Sequence, residues 1–333
     1  MSALQKINED MIVNLPKGDL HVHLNGAIPT NLVKELLAKN TNGIPSNFDI
    51  NQDLNILEPQ KNLQDYLKPW KVLNLIPRSQ SDLNKIVLQT FISLKLSNIK
   101  FVEIRNTIFY IANLNSISIE EAIIWMLDAL QNAFKITKIN YGLIITVRRS
   151  DQACEDIATI ISAIKNLGCP KNIVGLDLAG NEDIPLPENL SYFFKEAKHD
   201  LNLGITIHAG ETGNLSNILN AINLFEADRI GHGTAAMHCI DTMNLLREKD
   251  IAVEVCPISN RRTNSLKEDD GYTFHQFLKY EVPFVLCSDN PAIHNLNLIE
   301  DYKIFLRETN NEKFLINHYE QQKKYSFIKG DAL

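Results

Sequence analysis

Short apolar runs rich in valine and isoleucine alternate along the chain with longer stretches of helical period. Apolar residues fill these runs almost continuously, which is typical of parallel strands that are buried on both faces. The pattern predicts eight strands, over residues 18–23, 101–106, 142–148, 173–178, 204–208, 229–232, 251–256 and 283–288.

The stretches between these runs are predicted to form amphipathic helices. Ser118 followed by Glu121 is a capping box, which predicts a helix through about residue 136. Apolar side chains share one helical face in two further stretches, at Ile157, Ile160, Ile161 and Ile164 and at Ile218, Ala221, Ile222 and Phe225. Eight strand–helix units favour an α/β fold, the closed (β/α)8 TIM barrel. An open doubly wound sheet is the competing fold, but neither GxGxxG nor GxxxxGK[ST] follows the first strand.

Almost 80 residues separate the first and second predicted strands, which is too many for one crossover helix. We expect residues from about 40 to 95 to supply extra helices between strand 1 and strand 2 that cover the barrel mouth as a lid. No linker rich in proline, glycine or serine, no repeat and no low-complexity tract interrupts the chain. Residues 1–333 are therefore expected to form one domain.

Composition and charge narrow the class of protein. Of the 333 residues, 44% are hydrophobic and 22% are charged, and 33 basic against 40 acidic side chains give a net charge of −7 with histidine neutral. This balance argues against a nucleic-acid partner or an anionic membrane surface, although it leaves room for a local pocket that binds a small anion. The five cysteines form no CxxC motif, and the N-terminus lacks the apolar core of a signal peptide. We therefore expect a cytoplasmic protein with reduced thiols.

Polar side chains end several predicted strands, at the end of a (β/α)8 barrel where active sites are built. Strand 1 ends with His21 and His23, which point to the same side because they lie two residues apart. Strand 5 ends with His208, and Asp289 follows strand 8. Alone, each is more typical of a core histidine or a turn aspartate. Together they bring three imidazoles and a carboxylate to one point, a set that suits zinc, the alternative being a structural polar cluster.

The remaining strand ends indicate the metal count and the acid–base groups. The end of strand 4, from Asp177 to Asn181, has no lysine of the kind that bridges two metals in related barrels, so one ion is expected. Glu211, three residues after His208, is placed to act as an acid, although a carboxylate there would also suit the first turn of a helix. His232, at the end of strand 6, is placed to hold an attacking water.

These segments resemble the adenosine deaminase family of the amidohydrolase superfamily. The resemblance rests on His21-Val-His23-Leu-Asn25-Gly, Asp177-Leu-Ala-Gly180-Asn-Glu, His208-Ala-Gly-Glu211-Thr-Gly, Arg-Ile-Gly-His232-Gly, Val-Cys-Pro-Ile-Ser-Asn260 and Ser-Asp289-Asn290-Pro. The segments occur in the family's order with about its spacing, from residue 15 to about residue 300. The resemblance implies a zinc-dependent hydrolase that releases the C6 amino group of an adenine ring as ammonia. The combination of HxE with CxxC that is typical of the unrelated cytidine-type deaminases is absent, since the chain has no CxxC.

The resemblance also implies a role for each matching residue. One zinc ion would be bound by four side chains: His21, His23, His208 and Asp289. Glu211 would deliver a proton to purine N1 as hydroxide adds to C6. His232 would position the water and help to deprotonate it, and Asp289 could also take that proton. The backbone N–H of Gly180 would contact purine N3, where the missing side chain permits a close approach.

Asn25 departs from the family pattern in a way that bears on the substrate. Many members have an aspartate here that contacts the ribose 5′-hydroxyl, and that carboxylate would repel a 5′-phosphate, whereas a neutral amide could donate to it. Deaminases of N6-substituted AMP share the sequence His-Leu-Asn-Gly. Arg261 and Arg262 follow Asn260, and Arg262 is a candidate phosphate clamp, the alternative being a solvated loop pair. We therefore expect a nucleoside 5′-monophosphate (AMP, dAMP or N6-substituted AMP), with free adenosine or deoxyadenosine as the alternative.

Two further positions bear on the purine pocket. Asn290 replaces a family aspartate that contacts purine N7, and its amide can donate directly to unprotonated N7. Five residues lie at helical spacing in the lid region: Leu63, Tyr66, Leu67, Trp70 and Leu73. They are expected to form the lid core, the alternative being that Trp70 or Tyr66 walls the purine pocket. The expected partner is a small purine nucleoside or nucleotide, and no oligomeric state is predicted. A catalytically weak barrel that serves as a nucleotide-binding or assembly module is the alternative of another class.

Overall fold

The computed structural model describes residues 9–329. Eight strands form one parallel sheet in the order of the chain, β1 to β8. Their bounds are Lys17–His23, Ile99–Asn106, Asn140–Arg148, Ile173–Ala179, Gly204–Ala209, Arg229–His232, Ala252–Val255 and Phe284–Leu286. Each predicted strand overlaps one of these, so the strand predictions are confirmed.

The sheet closes on itself next to the predicted site. Val22 in β1 pairs in parallel with Asp289, three residues beyond β8. The His23 N–H donates to the carbonyl of Asp289 at 2.9 Å, and the Asp289 N–H donates to the carbonyl of His21 at 2.8 Å. The prediction of a (β/α)8 TIM barrel is therefore confirmed, and closure itself joins two candidate ligand segments.

Helices surround the barrel. The α-helices α1 to α17 are Glu9–Asn14, Leu24–Ala27, Thr30–Lys39, Leu63–Tyr66, Trp70–Leu73, Gln80–Leu96, Ile108–Asn115, Ile119–Thr137, Ala153–Asn166, Leu190–Asp200, Leu215–Asn223, Ile240–Glu248, Pro257–Arg262, Thr273–Lys279, Pro291–His294, Leu298–Thr309 and Glu312–Tyr325, and a 3₁₀ helix spans Thr234–His238.

The predicted helix start and the predicted apolar helix faces agree with the structure. The Ser118 side chain accepts a hydrogen bond from the Glu121 N–H at 3.1 Å, which caps α8 and satisfies one of the donors that a helix start leaves open. The apolar faces predicted for two other helices are buried, at Ile157, Ile160, Ile161 and Ile164 of α9 and at Ile218, Ala221 and Ile222 of α11.

Only part of residues 40–95 forms helices at the barrel mouth. Residues 40–62 form turns and bends, because Asn and Asp side chains there bond their own backbone. The Asn40 side chain accepts from the Asn42 N–H, and the Asp49 side chain from the Asn51 N–H. The two one-turn helices α4 and α5 lie at the barrel mouth, where Tyr66 and Trp70 line the central cavity. The long helix α6 instead packs against α8 and β2 in the outer layer.

The C-terminal segment covers the opposite end of the barrel. Arg229 in β6 donates to the carbonyl of Tyr325 at 2.7 Å, and its guanidinium lies 3.7 Å from the centroid of the Phe327 ring. A Cβ at Gly204 would collide with that ring, so the absence of a side chain at this position makes room for it. Among residues 9–329, no helix combines the length and the apolar character that crossing a bilayer requires.

Candidate metal-dependent active site

The four side chains predicted as metal ligands meet at the C-terminal end of the barrel. The Nε2 atom of His23 lies 3.3 Å from Nε2 of His21 and 3.2 Å from Nε2 of His208. Asp289 Oδ1 lies 3.4 Å from Nε2 of both His21 and His23. Ligand atoms of a tetrahedral site with bonds of about 2.0–2.1 Å lie roughly 3.3 Å apart, so the spacing fits one metal ion.

Hydrogen bonds behind the imidazoles leave their Nε2 atoms open for a metal. His21 Nδ1 lies 2.8 Å from Glu254 Oε2, and His208 Nδ1 lies 2.8 Å from Asp177 Oδ1. A carboxylate at Nδ1 holds the ring proton there, so Nε2 presents its lone pair. Burial lowers the pKa of His208 to about 4, which keeps this imidazole neutral.

The same point of the barrel favours positive charge. Asp289 Oδ1 is buried and has no hydrogen-bond partner within the described residues. Burial opposes ionisation of Asp289, but the neighbouring histidines, His21 above all, hold the pKa of its carboxyl well below the usual range. An ionised, buried oxygen that faces three nitrogen lone pairs is costly without a cation between them. A divalent ion would satisfy all four donors, so the residues present fit a bound metal.

Two site residues adopt left-handed backbone conformations. His232 has φ 61° and Asp289 has φ 59°, in a left-handed region that residues other than glycine enter uncommonly, although aspartate and histidine do so more often than most. Such strain persists where surrounding structure over-determines the backbone. At Asp289 the parallel pairing with Val22 supplies that constraint.

Glu211 and His232 lie beside the ligand cluster and face each other. Glu211 Oε1 lies 3.8 Å from His232 Nε2, and both side chains are buried. Burial raises the pKa of the Glu211 carboxyl, and the charges of Asp289 and Glu182 raise it further against the opposing effect of His232. A carboxyl group with a raised pKa keeps its proton to a higher pH than an exposed one, which suits a proton donor.

The backbone and side chains around this pair fix their orientation. The Glu182 carboxylate accepts hydrogen bonds from the N–H groups of Gly210 and Glu211, at 2.7 and 2.8 Å. His232 Nδ1 lies 2.9 Å from Asn260 Oδ1, an acceptor, so the ring proton is on Nδ1 and the Nε2 lone pair faces Glu211. The Glu211 carboxyl group and the His232 imidazole therefore face the same space.

That space is a cavity of about 250 Å³, which we call the central cavity. The ligand residues His23, His208 and Asp289 line it together with Glu211 and His232. The other predicted contacts on its wall are Gly180, Trp70 and Asn290. Aromatic and aliphatic side chains of α4, α5 and the turn between them cover one side: Leu63, Tyr66, Leu67 and Trp70. Its apolar wall and few convergent polar groups are typical of a site for a small planar ligand.

Asn290 is held by a contact that the sequence does not predict. Its Nδ2 donates to the hydroxyl of Tyr66 at 2.9 Å, and that hydroxyl lies 2.8 Å from His294 Nε2. The Asn290 carbonyl oxygen is buried against Gly26, where a Cβ would collide with it. The second N–H of the Asn290 amide has no partner within the described residues, so it is available to a ligand.

Asn25 lies in a smaller space that adjoins the central cavity, which we call the side recess. Asn25 Oδ1 accepts from Asn106 Nδ2 at 3.0 Å and from the Tyr110 hydroxyl at 2.8 Å, and Asn25 Nδ2 donates to Asn74 Oδ1 at 3.1 Å. Only one N–H of this amide therefore remains for a ligand. The recess measures about 80 Å³ and its lining includes no carboxylate.

The structure does not bring Arg262 to Asn25. Arg262 ends α13, and its guanidinium lies 3.8 Å from Glu58 Oε2. It lines neither the central cavity nor the side recess. Arg261 donates to the backbone carbonyls of Lys267 and Asp270, so it stabilises its own loop. The cation that does line both spaces is Arg148, at the end of β3.

Several residues that support the site are missed by reading strand ends. Asp177 and Glu254 hold the histidines from within β4 and β7, and Arg105 forms an ion pair with each of them. Burial alone would raise the pKa of Glu254, but Arg105 and Arg229 hold it well below the usual range. An acidic residue inside an otherwise apolar strand is the signal that could have identified them, because an unpaired buried charge is not tolerated.

Comparison with known proteins agrees with this arrangement. The sequence model of the family described as adenosine deaminase matches residues 16–331. The chain belongs to the adenosine deaminase family. An adenosine deaminase from Clostridium acetobutylicum is 31% identical over 300 residues, which cover 88% of this chain and 87% of that protein.

Two solved structures share the fold at low identity. An N6-mAMP deaminase from Arabidopsis matches with a TM-score of 0.82 and 22% identity, over 97% of this chain and 96% of that one. An amidohydrolase from Burkholderia ambifaria with bound zinc matches with a TM-score of 0.83 and 18% identity, over 99% of this chain and 91% of that one. The family match and the histidine cluster agree with each other, since the cluster can hold a metal ion.

Proposed function

We propose that the protein is a zinc-dependent aminohydrolase that replaces the C6 amino group of an adenine ring with oxygen, with a nucleoside 5′-monophosphate as its substrate. The observation that carries the proposal is the cluster of three histidines and one aspartate, of which His23, His208 and Asp289 line the central cavity together with Glu211 and His232. A hydrolase that attacks a ring carbon needs an activated water, a base and an acid at one place.

His21, His23, His208 and Asp289 would hold the zinc ion. When bound there, zinc would lower the pKa of water and stabilise negative charge as it develops. The fold neighbour with bound zinc supports the choice of this metal. Imidazole and carboxylate ligands in a tetrahedral spacing support it as well.

The acid–base residues complete the reaction as follows. His232 Nε2, unprotonated because Nδ1 bonds Asn260, accepts a proton from the attacking water. The water oxygen bonds to C6, and Glu211 delivers its proton to N1, so the ring nitrogen does not carry negative charge. His232 passes the proton that it took from the water to the amino group, the C6–N bond breaks, and ammonia leaves. The proton that remains on the C6 oxygen returns to Glu211. The ring keeps the oxygen as an inosine-type product.

The preference for a monophosphate rests on charge at the side recess. Asn25 is neutral where a carboxylate would repel a phosphate dianion, and the recess has no acidic wall. The fold neighbour that is an N6-mAMP deaminase supports a nucleotide substrate. Free adenosine is the second candidate, favoured by the relative from Clostridium acetobutylicum, whose name is adenosine deaminase.

Ultraviolet absorbance tests the proposal. The protein loaded with one equivalent of zinc is mixed with adenosine, AMP, dAMP and N6-methyl-AMP, and loss of the adenine band is followed. We expect turnover mainly of the monophosphates, and a kcat that is lower by about 10²- to 10⁴-fold in Glu211→Gln. Turnover mainly of adenosine would contradict the nucleotide part of the proposal only. Binding of all four compounds without turnover would contradict the enzyme and support a nucleotide-binding module.

A further inference from the structure

The two adjacent arginines at the end of β3 have opposite environments. Arg149 is buried, and its Nη2 donates to the backbone carbonyl of the ligand His208 at 2.7 Å. Arg148 is exposed at the barrel mouth, because neighbouring residues of an extended chain point to opposite sides. Arg149 therefore stabilises the metal site, while Arg148 remains free to contact a ligand.

Arg148 has no fixed partner in residues 9–329. Its guanidinium makes neither a hydrogen bond nor an ion pair there. Burial raises the pKa of Asp156 in the first turn of α9, and the charge of Arg148 only partly opposes that rise. An unpaired arginine next to a cavity keeps its five N–H donors available for an oxyanion.

Arg148 lies where the central cavity and the side recess meet. The two spaces share five wall residues: His23, Trp70, Asn74, Thr107 and Arg148. The recess is therefore continuous with the cavity that holds the reacting groups. It lies at the ends of β1, β2 and β3, whereas Glu211 and His232 follow β5 and β6 on the other side of the barrel.

The recess is built for an anion rather than for a cation. Its polar wall consists of neutral amides and hydroxyls, from Asn25, Asn74, Asn106, Thr107 and Tyr110. Beneath them lies Arg105, fully buried, whose Nε has no hydrogen-bond partner among the described residues. Arg105 is already paired with Asp177 and Glu254, so Arg148 is the cation in this lining that has no ion-pair partner among the described residues. No carboxylate lines the recess, so an oxyanion bound to Arg148 gains charge-assisted hydrogen bonds without a repelling group on the wall.

We infer that Arg148 is the residue that selects a 5′-phosphorylated substrate, with the phosphate bound in the side recess. This inference rests on the proposed function. A purine nucleotide with its N1 edge at Glu211 carries its 5′-phosphate on the far side of the molecule, which is the side of the recess. Arg262, which faces Glu58 outside both spaces, takes no part in this selection.

Kinetics of matched variants test the inference. With zinc-loaded protein, kcat/KM is measured for AMP and for adenosine in the wild type, Arg148→Gln, Arg148→Lys and Arg262→Gln. Arg247→Gln, which removes a half-exposed arginine on α12, is the control for net charge. We expect Arg148→Gln to lower the ratio of AMP to adenosine kcat/KM by about 10- to 150-fold, the range of a hydrogen bond to a charged group. Arg148→Lys should recover part of the loss because the charge remains.

A second measurement separates binding from catalysis. Competitive inhibition by the products IMP and inosine is compared in the same variants. Arg148→Gln should weaken inhibition by IMP by a similar factor and inhibition by inosine by less than about threefold.

The outcomes distinguish this inference from the function on which it rests. An unchanged ratio in Arg148→Gln, or a drop in Arg262→Gln instead, would overturn the inference while AMP turnover by the wild type leaves the proposed function intact. A wild type that prefers adenosine, with IMP binding no tighter than inosine, would overturn both.

Discussion

Exchanging Asn25 for aspartate places a negative charge at the side recess with little structural change. Two groups already donate to Asn25 Oδ1, the Asn106 amide and the Tyr110 hydroxyl. The third contact places Asn25 Nδ2 opposite Asn74 Oδ1, and a turn of the Asn74 amide would present its N–H groups to the new carboxylate. With three donors the carboxylate stays ionised although the position is 5% exposed.

The recess is small enough for this charge to act strongly on a phosphate. In a space of about 80 Å³, an anion lies within about 5 Å of the wall atoms, and at an effective dielectric of about 20 two unit charges at that distance interact by about 3 kcal/mol. An unfavourable 3 kcal/mol corresponds to roughly a 100-fold lower kcat/KM. Adenosine has a neutral 5′-hydroxyl, which can donate to the new carboxylate, so its turnover should change by less than about fivefold.

The assay is kcat/KM of Asn25→Asp for AMP and for adenosine at fixed low ionic strength, because salt screens the repulsion. Asn25→Ala is the matched control, since it removes the amide without adding charge. It should lower kcat/KM for AMP and for adenosine by a similar factor. Equal losses of AMP and adenosine turnover in Asn25→Asp would refute the reasoning, because repulsion acts only on the charged substrate.

Three further predictions follow from the metal cluster and the proton donor. Glu211→Gln should lower kcat by about 10²- to 10⁴-fold with IMP inhibition within tenfold of the wild type, and a smaller kcat effect would contradict its role as the acid. Asp177→Asn should weaken zinc binding about 10- to 100-fold in a competition with a chelator, because His208 loses the acceptor that orients it; unchanged affinity would show that the contact is dispensable. Removing the metal should lower Tm. Adding zinc at about 100 times its Kd should raise the free energy of unfolding by about 2.7 kcal/mol. Equal Tm values for the metal-free and zinc-loaded protein would count against a metal site at Asp289.

The strands and the residues predicted as metal ligands could be read from the sequence because both depend on short-range pattern. A buried parallel strand is an apolar run, and a barrel places the ends of all such runs around one axis. Residues at the ends of β1, β5 and β6 therefore converge without any knowledge of contacts. Asp289 joins them because it extends the pairing of β8 with β1.

The supporting charges could not be read in the same way. Asp177 and Glu254 lie inside strands, and their contribution to the site depends on which histidine of a nearby strand each one contacts. The register decides this, since Asp177 pairs with Thr206, two residues before His208. Sequence shows that a buried acid exists, but only the assembled barrel shows that Arg105 neutralises it and that a histidine uses it.

The arginines illustrate why proximity along the chain is a weak guide to a substrate contact. Arg262 is close in sequence to Asn260, which holds His232, yet successive residues of α13 point in different directions and its guanidinium faces Glu58. Arg148 and Arg149 are adjacent and carry the same side chain. Because the chain is extended there, the two side chains point to opposite sides. Which of the two faces the ligand depends on the closed barrel, where Arg149 bonds the carbonyl of His208. The phosphate contact that we propose therefore lies at the end of β3, where the unpaired cation meets the neutral wall around Asn25, rather than on the helix after β7.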